Sequence, residues 1–193
     1  YQLSRRTRIE FIEEAGIDSG GLTKEWYLEL ARTFGDKKRR LFRRVASGAS
    51  LGIDPRSCKL KDGGLEEFRF IGRIVGKAVF DRQLVNVQFD NSVIKALLGF
   101  DPEMEDLETI DPVYTKSLKW ILDNDITNVI DETFSAFRVL PGGGEECIDL
   151  IVNGVVVEGG RNMDVTNDNK FEYVQGMINF MLIGQVQYQM DEF

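Results

Sequence analysis

Histidine is absent from all 193 residues of this sequence, and cysteine occurs only at Cys58 and Cys147. Without histidine the chain cannot build Ser-His or Cys-His nucleophilic machinery or a histidine-rich metal site. Two cysteines cannot complete a structural zinc site alone, and their wide separation argues against a disulfide framework. The sequence therefore predicts no metal, no cofactor and no catalysis by this chain unaided.

Long hydrophobic runs are also missing. No apolar run reaches the roughly 18 to 20 residues that span a bilayer, and the N-terminus lacks a signal-peptide pattern. We therefore expect no membrane association and a cytoplasmic or nuclear location. The net charge of −8 argues against nucleic-acid binding, which needs a positive surface. Acidic residues between 103 and 132 would instead favour a basic protein partner.

The stretch "GRIVGK" at 72–77 has some features of a phosphate-binding loop. Such a loop needs four residues between its glycines and a hydroxyl after the lysine, whereas three residues and Ala78 stand here. The surrounding apolar residues recur at helical spacing and predict one long core helix. They are Phe68, Ile71, Val75 and Val79. Two glycines inside a helix are explained if a neighbouring helix approaches closely.

Capping and turn signals outline the other elements. Thr23 is a candidate N-cap for a helix that ends at Gly35, and Thr166 for a helix from about residue 168. Asp111, followed by a proline, predicts the start of another helix, and the Asn153-Gly154 dipeptide predicts a tight β-hairpin. The order indicates an α+β fold, mainly helical, with a smaller subdomain that contains a short β-sheet or hairpin.

Five segments in this order resemble the N-terminal lobe of the HECT catalytic domain of ubiquitin ligases. They are "GIDSGGLTKEWYLEL", "FRFIGRIVGKAVF", "SLKWILDND", "DETFS" and "GGRNMDVTNDNKFEYV". The resemblance covers 1–193 and implies that about 90–165 includes the smaller docking subdomain. It also implies a C-terminal lobe, absent from this chain, that carries the catalytic cysteine. Neither Cys58 nor Cys147 corresponds to that cysteine, so no catalytic residue is expected here.

The resemblance further implies a groove that binds a ubiquitin-conjugating enzyme. Carried over position by position, the groove residues are Tyr114, Ser117, Leu118, Asn124, Ile130, Glu132 and Tyr173. Asn124 stands where some members have an aromatic residue, and Glu132 where some have an aliphatic one. Helical spacing alone gives a different interpretation, in which Tyr114, Leu118 and Ile121 form a core stripe and Tyr173 is also a core residue. Both interpretations are open at the level of sequence.

The implied function is to hold a ubiquitin-loaded conjugating enzyme. Ubiquitin would then pass to the cysteine of the missing lobe as a thioester, and from there to a lysine of a protein substrate. The expected partners are thus the conjugating enzyme, ubiquitin and protein substrates. The alternative is a non-catalytic, acidic helical scaffold that binds a basic protein.

Overall fold

The computed structural model describes residues 9–12, 20–45, 48, 50–59 and 64–193. Seven α-helices lie in these ranges: α1 Gly21–Phe34, α2 Gly64–Phe80, α3 Asn91–Leu98, α4 Met104–Ile110, α5 Pro112–Asp123, α6 Lys170–Leu182 and α7 Gln187–Glu192. The strands are β1 Phe42–Arg44, β2 Leu51–Ile53, β3 Ser135–Val139, β4 Glu145–Asp149, β5 Ile151–Val152 and β6 Val155–Val156. Short 3-10 helices cover Pro55–Lys59, Gly160–Asn162 and Gly184–Val186. The predicted α+β, mainly helical fold is confirmed.

The strands of the described ranges form antiparallel pairs: β1 with β2, β3 with β4, and β5 with β6. The β5–β6 pair is the hairpin predicted from Asn153-Gly154. Both turn residues have positive φ, 51° and 75°, as a two-residue hairpin turn of this kind requires. Residues 16–19 of the first quoted segment, "GIDS", lie outside the described residues.

Buried side chains form two hydrophobic clusters. The first, which we call the small cluster after the smaller subdomain predicted from the sequence, joins α4, α5, α6, β3 and β4, and includes Leu118, Phe134 and Tyr173. The second joins α1, β1, β2 and α2, and includes Phe34 and Phe68. The assignment of about 90–165 to a docking subdomain stays a prediction, and α6 packs in the same cluster as the helices of that range.

Helix α2 carries the "GRIVGK" stretch, and its backbone is helical throughout 72–77. A phosphate loop is therefore excluded, since the amides of a helix interior already bond to carbonyls of the same helix. The buried face contains Phe68, Ile71, Ile74 and Ala78. Val79, predicted on that face, is instead 74% exposed. The prediction for Val79 was wrong because, at 3.6 residues per turn, Ala78 rather than Val79 continues the face of Ile71 and Ile74.

The two glycines of α2 have different surroundings. A Cβ atom at Gly72 would overlap the main-chain carbonyl of Phe193, directly after α7, so close approach explains this glycine. Gly76 has no atom within 4 Å of the position where a Cβ would stand. The predicted close approach is therefore right for Gly72 and wrong for Gly76.

These surroundings predict opposite effects of the same substitution. Gly76→Ala should raise the free energy of unfolding by about 0.5–1 kcal/mol, because alanine loses less conformational entropy in a helix. Gly72→Ala should lower it by about 1–3 kcal/mol, because the added methyl displaces the Phe193 backbone. Urea denaturation of both variants measures the sign of each change in the free energy of unfolding. Equal effects at the two positions would contradict the packing of α7 on α2.

Two helix starts differ from prediction, and one helix was not predicted. Helix α1 begins at Gly21 after Gly20, which has φ 106°, so Thr23 lies inside the helix and is not its cap. Helix α6 begins at Lys170 after Asn169, so the start near 168 and the cap at Thr166 were wrong. The Asn169 side chain accepts from the Thr166 amide at 2.7 Å, which closes the turn before the helix. Helix α4 was not predicted.

Candidate functional site

Helix α5 carries the first three predicted groove residues, and its start is held as the sequence predicts. The Asp111 carboxylate accepts from the Tyr114 amide at 2.9 Å, and Pro112 occupies the first turn. Tyr114 is half-buried, Ser117 is exposed and Leu118 is 1% exposed. The helix therefore turns Leu118 into the small cluster and Ser117 to solvent.

Tyr173 of α6 lies beneath Tyr114. Its ring is 3% exposed and packs edge-on against Phe134, with ring centroids 5.7 Å apart. The hydroxyls of Tyr114 and Tyr173 lie close enough to act electrostatically on each other. We call these two residues the phenol pair.

Electrostatics keep the phenol pair protonated. Burial, with the nearby carboxylates of Glu132 and Asp111, raises the pKa of Tyr114 to about 12. Burial also raises the pKa of Tyr173, and Tyr114 and Glu132 add to the shift. Both hydroxyls therefore stay neutral even at pH values where an exposed tyrosine ionises, and they serve as polar groups at the edge of the core.

The turn after α5 positions Asn124. The Asn124 side chain donates to the Trp120 carbonyl at 2.9 Å, and the Lys170 ammonium donates to the Asn124 carbonyl at 2.6 Å. Asn167 donates to the Asp125 carboxylate at 2.7 Å. Since the Thr127 amide and Asn167 both donate to this carboxylate, the pKa of Asp125 falls to about 2. The start of α6 thus holds the turn in place.

Ile130 and Glu132 lie on the segment between this turn and β3. Ile130 is half-buried against the small cluster, and Glu132 is exposed. The Val165 amide donates to the Glu132 carbonyl at 2.9 Å, and Thr133 forms an antiparallel bridge with Asp164. The segment is therefore pinned to the strand-like residues that precede α6.

The seven predicted residues do not form one exposed groove. Leu118 and Tyr173 belong to the core, so their expected exposure was wrong and the core-stripe interpretation is right for Leu118 and Ile121. Tyr114, Glu132 and Tyr173 lie together. Asn124 stands at the opposite end of α5, about 15 Å from Tyr114 along the helix axis.

An exposed face of α5 adds two residues that the sequence reasoning missed. Val113, Ser117, Trp120 and Asn124 are all exposed and recur at i, i+4, i+7 and i+11, so they share one side of the helix. We call them the α5 face. Val113 is 74% and Trp120 45% exposed. The helical spacing of Ser117 and Asn124 was the signal that could have identified both.

Other features of the described residues lie apart from the predicted site residues. A cavity of about 440 Å³ lies between the end of α3 and α7 and is lined by none of the seven predicted residues. Within the described ranges, no group of three or more acidic or cysteine side chains is placed to hold a metal ion. The same ranges contain no helix with the length and apolarity needed to cross a bilayer.

Comparison with known proteins identifies the class of protein to which this chain belongs. The model of the HECT-domain (ubiquitin-transferase) family matches residues 28–193, so the chain belongs to that family. The resemblance noted in the sequence is confirmed.

Particular relatives are named E3 ubiquitin-protein ligases. A TOM1-like ligase of Neurospora crassa is 39% identical over 188 residues, 97% of this chain and 4% of the relative. UPL2 of Arabidopsis thaliana is 38% identical over 99% of this chain and 5% of its own length. Pub3 of Schizosaccharomyces pombe is 35% identical over 100% of this chain and 24% of its own length. The chain therefore spans a small part of each of these relatives.

Proposed function

We propose that this chain docks a ubiquitin-conjugating enzyme, and the observation that best supports the proposal is the α5 face beside the phenol pair. Val113 and Trp120 present large apolar groups to solvent, while Ser117 and Asn124 offer polar groups between and beside them. Apolar anchors surrounded by polar groups are typical of protein interfaces, and a few such anchors carry most of the binding energy.

The predicted groove residues divide into two roles in this proposal. Tyr114, Ser117, Asn124, Ile130 and Glu132 are accessible and contact the partner. The buried side chains Leu118 and Tyr173 support α5 and Tyr114 from below. The exposed carboxylates around the site add electrostatic attraction for a basic partner, which raises the association rate.

For the whole protein we propose the activity that its relatives' names state, ubiquitin ligation, in the cytoplasm or nucleus. The thiolate of a cysteine outside this chain attacks the carbonyl of the conjugating enzyme's ubiquitin thioester and displaces that enzyme's thiolate. The amine of a substrate lysine then attacks the new thioester and displaces the ligase cysteine. This chain contributes proximity and orientation to the first step.

Neither cysteine of this chain fits the role of nucleophile. Cys58 is 3% exposed, and burial raises the pKa of its thiol, which disfavours the thiolate that would react. Cys147 lies half-buried in β4, and both cysteines are free. We therefore propose that this chain alone forms no ubiquitin thioester.

Titration of this chain against a panel of ubiquitin-conjugating enzymes tests the docking proposal. Saturable binding to one or more of them is expected. Trp120→Ala should weaken it about tenfold or more, because Trp120 is the largest exposed anchor of the α5 face.

The matched control is Phe137→Ala, which removes an aromatic ring that is also exposed but lies on β3. It should leave affinity within about twofold, as surface changes away from an interface do. Absence of binding across the panel would overturn the docking proposal and favour the scaffold alternative. Equal weakening by both substitutions would place the contact elsewhere.

A further inference from the structure

Glu132 is held in a defined orientation at the candidate site. Its segment is extended, with the Val165 amide on the Glu132 carbonyl and the Phe134 amide donating to the Met163 carbonyl at 3.1 Å. In an extended segment, side chains two residues apart point to the same side. The Thr133 and Ser135 hydroxyls meet at 2.8 Å, which shows this alternation directly.

The alternation directs Glu132 toward the phenol pair. Phe134, two residues on, is 2% exposed and its ring packs on Tyr173. Glu132 therefore extends from the same side of the segment, and its carboxylate acts electrostatically on both tyrosine hydroxyls. Asp131 stands on the other side of the segment and is exposed.

Among the residues that the structure describes, no cation is paired with the Glu132 carboxylate. No side-chain hydrogen bond of the described ranges uses it. The other charged group that acts on Tyr114 is also a carboxylate, Asp111. In contrast, Asp125 already accepts from Thr127 and Asn167, so its charge is used within the chain.

A partner that covers this carboxylate has to satisfy it, and a lysine or arginine does so more strongly than a neutral hydrogen-bond donor. A carboxylate shielded from water without a counter-charge destabilises a complex, whereas one paired with lysine or arginine stabilises it. The same group thus attracts one class of partner and disfavours another, which is how specificity arises.

We propose that Glu132 is a specificity-determining residue: the site accepts conjugating enzymes whose docking segment places a lysine or arginine against Glu132, beside an apolar group packed on Tyr114. Conjugating enzymes with a neutral or acidic residue at that place bind weakly. This inference rests on the proposed docking function and names the chemistry of the partner that the site selects.

The test uses the wild-type chain, Glu132→Gln, Glu132→Lys and the matched control Asp131→Asn. Each is titrated against a conjugating enzyme that binds the wild type and carries a basic docking residue, and against a variant of that enzyme with glutamate at this residue. Glu132→Gln should weaken binding to the basic enzyme about tenfold, since a shielded charge pair is broken. Asp131→Asn should change the affinity less than about twofold. Glu132→Lys should bind the charge-reversed enzyme more tightly than the wild type does.

The outcomes separate the two proposals. If the wild type binds conjugating enzymes and Glu132→Gln binds each with unchanged affinity, the role of Glu132 is overturned while docking stands. Equal effects of Glu132→Gln and Asp131→Asn also overturn it, because they indicate a diffuse acidic field. If the wild type binds no member of the panel, the docking proposal fails, and this inference fails with it. Circular dichroism of each variant verifies folding, and both substituted positions are exposed.

Discussion

Replacing Leu118 by alanine is expected to lower the free energy of unfolding by about 2–5 kcal/mol. Leu118 lies on α5, is 1% exposed and packs in the small cluster. Truncation removes buried apolar surface and leaves a cavity that the surrounding helices fill only in part. Urea denaturation followed by far-ultraviolet circular dichroism measures the loss.

Val113→Ala is the matched control, because it also shortens an aliphatic side chain of α5 but at an exposed position. It should change the free energy of unfolding by no more than about 0.5 kcal/mol. A loss below about 1 kcal/mol for Leu118→Ala would contradict its place in the core. If Leu118→Ala is destabilised as expected, any loss of partner binding in this variant reflects impaired folding. The docking proposal is therefore tested with Trp120→Ala instead.

Local signals predicted the elements that depend on neighbouring residues. Asp111 and Pro112 identified the start of α5, and Asn153-Gly154 identified the β5–β6 turn, because caps and tight turns are determined by a few adjacent residues. Asp90 caps α3 and Gly99 ends it with φ 73°, which are local signals of the same kind.

Helix α4 was missed because it is short. It has only seven residues, about two turns, and part of its stability comes from a capping box between Glu103 and Asp106. The Asp106 carboxylate also forms an ion pair with the Lys95 ammonium of α3, with 2.6 Å between Oδ2 and Nζ. Helical periodicity alone could not distinguish such a segment from a loop.

In the candidate site, too, local spacing predicted which side chains are buried but not which distant elements they contact. Helical spacing correctly assigned Leu118 to a buried face, whereas the family resemblance implied an accessible one. Neither could show that Tyr173 lies beneath Tyr114, since that requires α6 to fold back on α5 from nearly sixty positions later. The unpaired charge of Glu132 likewise follows from how the segment before β3 pairs with Asp164 and Val165.

Replacing Gly160 by alanine is expected to lower the free energy of unfolding by about 3 kcal/mol, the upper part of the range for overpacking. A Cβ at Gly160 would overlap the carbonyl oxygen of Phe134 and lie 3.1 Å from its Cβ. That oxygen cannot move freely, because it accepts from the Leu150 amide at 2.9 Å and the Phe134 ring is buried against Tyr173. The added methyl must therefore displace one side of the small cluster.

Denaturation of Gly160→Ala, with Gly76→Ala as the control, tests this expectation. The control also adds one methyl group to a glycine of a helical segment, but into open space, and should be stabilising. Gly160→Ala should in addition weaken binding of a conjugating enzyme, because displacement of Phe134 moves Tyr173 and with it Tyr114. If Gly160→Ala is as stable as the wild type, the contact with Phe134 does not restrict this position. If it is unstable but binds normally, the support of Tyr114 by Tyr173 and Phe134 does not shape the docking surface.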